Sequence, residues 1–163
     1  MSIILIGFMG AGKSTIAKLF SKNYIDLDEY ISKKFEMEVS EYINKKGISS
    51  FRKIEEESLK SLVGKHEIIS TGGGIIESLQ NQKFLLNENN VVYLKADFNC
   101  LLQRLEKDKI NRRPIFENLV RKELEELYYK RSIIYEILAD EIIDTTDKKV
   151  EEVLAILKEF YLA

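Results

Sequence analysis

At 163 residues the chain suits one domain, long enough to remove about 70% of its unfolded surface from water and build its own core. Hydrophobic residues make up 45% and charged ones 32%, with net charge −2, which excludes intrinsic disorder and a surface coated for nucleic acid. One cysteine excludes an internal disulfide, and no apolar run reaches the ~18 residues of a membrane span, so a cytoplasmic protein that binds neither membrane nor nucleic acid is expected.

Short apolar runs alternate with longer helical patterns, as in parallel strands joined by crossover helices. "SIILIGF" at 2 to 8 reads as a first strand and "KSTIAKLFSK" as the helix after it. "YIDLD" reads as a short second strand. From Glu29 to Leu62 the pattern is helical, broken at Gly47, with "ISSFRKIEEESLKSLV" its clearest helix. "EIIST", "VVYLKA" and "EIIDT" complete five strands, and "KKVEEVLAILKEFYLA" is a closing helix. Sustained apolar runs imply an α/β sheet with helices on both faces. "KDKINRRPIFENL" is charged, aperiodic and holds the only proline, Pro114, so it reads as a surface loop. Cys100 reads as a buried structural thiol and His66, the only histidine, as a strand-edge or surface residue.

Three groups of residues point to chemistry. "GFMGAGKS" fits G-x-x-x-x-G-K-[ST] through Gly7, Gly12, Lys13 and Ser14, between a strand and a helix as the motif requires. Its backbone N–H groups and the helix N-terminus suit phosphate, Lys13 suits the β- and γ-phosphates, and Ser14 suits Mg²⁺. ATPase, GTPase and kinase remain open on that loop alone. "IDLDEY" sets Asp26 and Asp28 two apart, on one face if the strand continues, as a metal-side carboxylate and a proton acceptor; Asp28 equally suits a helix cap.

"FRKIEEE" sets Arg52 and Glu55 three apart on a helix, either to orient the guanidinium or as an exposed ion pair. Arg112 and Arg113 fall in the charged loop and Arg131 on a later helix, as cations for a phosphoryl group or a fixed carboxylate. Gly72, Gly73 and Gly74 follow a strand expected beside the first. They form either a floor for a small polar substrate, or a plain turn or a site of close helix packing.

In this order, "GFMGAGKST", "IDLD", "FRKIE", "STGGG", "RRP" and "KRSIIY" resemble the shikimate kinase family over residues 3 to about 146. The resemblance implies the P-loop, nucleoside-monophosphate-kinase-like fold. Its five-stranded parallel sheet runs in the order 2-3-1-4-5, within a single domain over 1–163. A substrate-binding helical region over about 29–62 and a lid over about 108–118 go with it. It further implies transfer of phosphate from ATP, with Mg²⁺, to the 3-hydroxyl of shikimate by a monomer, a step toward chorismate and the aromatic amino acids.

Carried over by position, the resemblance implies a phosphate loop of Gly10, Ala11, Gly12, Lys13, Ser14 and Thr15. Ser14 and Asp26 fall on the magnesium side, and Asp28 meets shikimate and is the proposed base. Arg52 and Arg131 grip the shikimate carboxylate, Gly72 to Gly74 adjoin the substrate, Arg113 is the lid arginine and Arg104 lies against adenine. After Pro114 the chain has Ile115 and Phe116 where the family usually has two leucines. Gluconate or nucleotide kinases of the same fold share the phosphate loop without needing the other motifs, and the N-K-x-D guanine signature of a switch GTPase is absent.

Overall fold

The computed structural model describes residues 1–107 and 120–163. The expected lid over 108–118, with Arg112, Arg113 and Pro114, therefore lies outside the described residues. In chain order the elements are β1 (Ile3–Ile6), α1 (Lys13–Phe20), β2 (Tyr24–Asp26), α2 (Leu27–Phe35), α3 (Val39–Lys46), α4 (Ile48–Leu62) and β3 (Ile68–Ser70). A short 3-10 helix (Gly73–Glu77) follows, then α5 (Leu79–Leu86), β4 (Val91–Lys95), α6 (Phe98–Lys107), α7 (Arg121–Leu138), β5 (Glu141–Asp144) and α8 (Val150–Leu162).

All four strand pairings are parallel, in the order β2-β3-β1-β4-β5. Successive strand residues point to opposite faces, yet Ile3, Ile4, Leu5 and Ile6 are all 0% exposed, so both faces are covered. The register matters for function. Leu5 of β1 and Asp26 of β2 both pair with Ser70 of β3, so the loops leaving these three strands start from one row. Ligands of open α/β sheets collect at such a carboxyl edge.

The structure corrects the second strand, expected over residues 24 to 28. Pairing stops at Asp26, whose Oδ1 accepts the Glu29 N–H at 3.1 Å and so caps α2. The cap is Asp26 rather than Asp28, and Asp28 sits in the first turn of a helix, so the two carboxylates do not share a strand face. The helical stretch that follows divides into three, with Gly47 between α3 and α4 as expected and a further break after Phe35, where Glu36 takes a left-handed φ of 53°. Cys100 is half-buried rather than buried, its Sγ 3.7 Å from the Thr146 carbonyl. His66 lies just ahead of β3 with its Nδ1 3.1 Å from Asn23 Oδ1, at the edge where it was expected.

Candidate active site

The phosphate loop turns out of β1 and into α1 through Gly12, which holds the residue before the helix at φ 90°, a conformation a side chain disfavours. The first turn of α1 has no acidic residue of its own, and the positive end of its dipole favours an anion. Lys13 is 5% exposed, and its ammonium arches back over its own loop to donate to the carbonyls of Gly7 at 2.7 Å and Phe8 at 3.0 Å. Gly10, Gly12, Lys13, Ser14 and Thr15 all line a cleft of about 930 Å³, whereas Ala11 is buried beside it.

Oxygen donors converge at the start of α1. The Ser14 hydroxyl donates to Asp26 Oδ2 and lies 3.3 Å from Ser70 Oγ. Hydroxyl and carboxylate oxygens at a phosphate loop suit a hard cation, and Mg²⁺ usually takes one or two protein oxygens plus phosphates and water. One hydroxyl and one carboxylate match the protein share of a Mg²⁺ that is carried by phosphates.

Across the cleft the three consecutive glycines each face a different charged side chain. A Cβ on Gly72 would lie 3.2 Å from both oxygens of Asp28, and one on Gly73 would lie 3.5 Å from Arg131 Nη1. A Cβ on Gly74 would overlap Arg52, at 2.8 Å from both Cζ and Nη1. The triplet is thus a bare floor on which one carboxylate and two guanidinium groups lie side by side.

Both arginines are anchored from behind. Arg52 Nη1 donates to Glu55 Oε1 at 2.9 Å, with Glu55 only 1% exposed, so the pair is not the exposed ion pair that its spacing also allowed. Burial pushes the Glu55 carboxyl up to about 7 from its ordinary 4.5; Arg52 opposes that shift and the Asp28 carboxylate adds to it. Arg131, 4% exposed, points inward from α7, and its Nε donates to Glu77 Oε1 at 2.9 Å. One turn further, the buried Tyr135 hydroxyl donates to the Gly73 carbonyl and holds the middle of the floor against α7. Tyr135 is stacked in turn on Tyr93 of β4 at 5.0 Å, and burial keeps its hydroxyl protonated far above the usual range.

Arg104 of α6 stands at the opposite end of the cleft. Its guanidinium donates to the Thr145 carbonyl at 3.1 Å, to Thr145 Oγ1 at 3.3 Å and to the Gly10 carbonyl at 3.5 Å, bridging the phosphate loop and the loop after β5. Of the residues singled out in the sequence, the cleft lining gathers Gly10, Gly12, Lys13, Ser14, Thr15, Asp26, Asp28, Arg52, Gly72 to Gly74, Arg104 and Arg131. Arg113 lies outside the described residues. Glu77, Ser70 and Tyr135 were not singled out, although "KRSIIY" does put Tyr135 one helical turn beyond Arg131.

Comparison with known proteins yields one consistent family. The family model described as shikimate kinase matches residues 9–161. A shikimate kinase of Lactococcus lactis subsp. lactis is 45% identical over 159 residues, covering 98% of this chain and 97% of its own. Among solved structures, a shikimate kinase of Bacteroides thetaiotaomicron superposes with TM-score 0.87 at 30% identity, covering 100% of this chain and 99% of its own. A shikimate kinase of Acinetobacter baumannii in complex with shikimate gives TM-score 0.87 at 28% identity, covering 99% of this chain and 92% of its own.

The buried Glu55 has a measurable signature. Between pH 4.5 and about 7 the native state holds a proton there that the unfolded chain has released. The stability this carboxyl contributes is therefore complete below pH 4.5 and is lost as pH rises toward 7. Urea midpoints recorded across that window are expected to fall less steeply for Glu55→Gln than for the unmodified protein. Parallel slopes in the two proteins would remove Glu55 as the titrating group.

Proposed function

From the premise that the chain belongs to the shikimate kinase family, we propose a division of roles among its residues for the reaction it carries out, phosphorylation of shikimate by ATP with Mg²⁺. The observation that supports the assignment is the single cleft in which the phosphate loop faces a glycine floor bearing one carboxylate and two guanidinium groups. Arg52 and Arg131 take the substrate carboxylate. Each is held by its own glutamate, so little orientational freedom is left to lose on binding. A carboxylate gripped there turns the ring's hydroxyls toward Asp28 and the phosphate loop.

Asp28 accepts the proton of the 3-hydroxyl as its oxygen bonds to the γ-phosphorus, while the bond from that phosphorus to the bridging oxygen breaks and ADP departs. Lys13 exchanges its loop carbonyls for the β- and γ-phosphates, and backbone N–H groups over Gly10 to Thr15 receive phosphate oxygens. Ser14 and Asp26 would hold Mg²⁺, which when bound neutralises charge on the transferring phosphate. Arg104 borders the adenine side, and Arg113, which lies outside the described residues, supplies the cation for charge developing on the phosphoryl group. Residues 29–62 form the substrate-binding helical part of one domain over 1–163.

Among the described residues no helix is long and apolar enough to cross a membrane, and we assign the activity to the cytoplasm.

A coupled assay for ADP with shikimate, gluconate and nucleoside monophosphates tests the reading directly. Turnover with shikimate alone is expected, and a preference for either rival would sink it. Asp28→Asn is expected to lower kcat by about 10²- to 10⁴-fold while ATP binding, followed by calorimetry, stays intact. Gly74→Ala pushes only the far end of Arg52, so the melting temperature should hold within a few degrees while KM for shikimate rises about tenfold. An unaltered KM there would show that Arg52 does not meet the substrate.

A further inference from the structure

We propose that Glu77 is a positioning residue that sets the orientation of Arg131 before substrate arrives. The proposal rests on the reading of Arg131 as a carboxylate grip. Arg131 belongs to the buried stripe of α7, alongside Leu124, Tyr128, Tyr135 and Leu138. A guanidinium in such a stripe is costly unless paired, and an unpaired one would be free to turn away from the cleft. Glu77 supplies the partner: its Oε1 takes the Nε–H at 2.9 Å.

The choice of nitrogen decides the geometry. With Nε engaged by Glu77, Nη1 at the other end of the planar group stands 3.5 Å from the Cβ position of Gly73, on the floor. A bidentate contact with a carboxylate uses a planar edge of this kind. Glu77 is also the last residue of the 3-10 helix that begins at Gly73, so its carboxylate is fixed to the element that forms the floor. The bond from Arg131 therefore ties α7 to the floor at the point where substrate lies.

Arg52 is held differently. Its glutamate lies three residues along the same helix and is 1% exposed, whereas Glu77 comes from a separate element with its side chain 33% exposed. Replacing Glu77 by glutamine keeps a neutral partner for the buried Arg131, through an isosteric amide oxygen able to take the Nε–H, and removes only the negative charge. Its loss falls on the orientation of Arg131.

The test measures kcat, KM for shikimate and KM for ATP in Glu77→Gln, Arg131→Met and the double variant, with melting temperatures for all three. Glu77→Gln is expected to raise KM for shikimate about fivefold while kcat and KM for ATP stay within about twofold, the loss of one charge-assisted hydrogen bond. In the Arg131→Met background the same change should alter KM for shikimate by less than about twofold, because the group it positions is gone. If Arg131→Met raises KM but Glu77→Gln does not, the positioning role falls and the grip stands. If Arg131→Met leaves KM for shikimate unaltered, the grip itself is wrong. A Glu77→Gln protein that loses kcat, both KM values and melting temperature together would make Glu77 a structural residue and overturn the proposal.

Discussion

The site depends on steric room at three consecutive residues. Asp28, Arg131 and Arg52 come from α2, α7 and α4, which are far apart in the chain, and they meet only because nothing projects from Gly72, Gly73 and Gly74. Opposite charges set this close in a partly enclosed cleft stabilise one another, and each arginine has a glutamate behind it. The floor thus lets three side chains crowd together without collapsing onto each other. Raised by one methyl group at Gly74, it would meet the Arg52 guanidinium directly.

The floor is held level by the sheet and by aromatic packing. Because Leu5, Ser70 and Asp26 lie in one row of the parallel ladder, the phosphate loop, the glycine triplet and the first turn of α2 all begin at the same height. From the other side, the Tyr135 hydroxyl grips the Gly73 carbonyl while its ring packs on Tyr93. Tyr128, one turn earlier on the same helix face as Arg131, sends its hydroxyl to the Ala96 carbonyl at 2.6 Å and sets its ring edge-on to Phe8 of the phosphate loop at 5.5 Å. α7 is therefore pinned on both flanks of Arg131, and the pinning residues recur at helical spacing.

Much of this was legible in the chain because local rules govern it. A strand, a glycine loop with lysine and a helix can be read in a short window, and so can Arg52 with Glu55 one turn away. The strand order and the placing of Arg104 against adenine came from the combined resemblance, since no local spacing specifies which strands are neighbours. What was misread or missed is non-local or turns on one hydrogen bond. Asp26 and Asp28 alternate as strand residues should, yet a cap bond to Glu29 converts the second into a helical residue. Glu77 and Tyr135 reach Arg131 and Gly73 across 54 and 62 residues of sequence, and nothing in "IIES" or "SIIY" announces those meetings.

Asp26 has one oxygen on the Glu29 N–H and the other on the Ser14 hydroxyl. The same carboxylate therefore closes the entrance of α2 and borders the triphosphate side of the cleft. A helix whose first turn hangs on a shared group inherits the state of its neighbour. A shift of Asp26 would be felt at the turn that carries Asp28. The phosphate loop and the first turn of α2 are thereby joined through one short side chain.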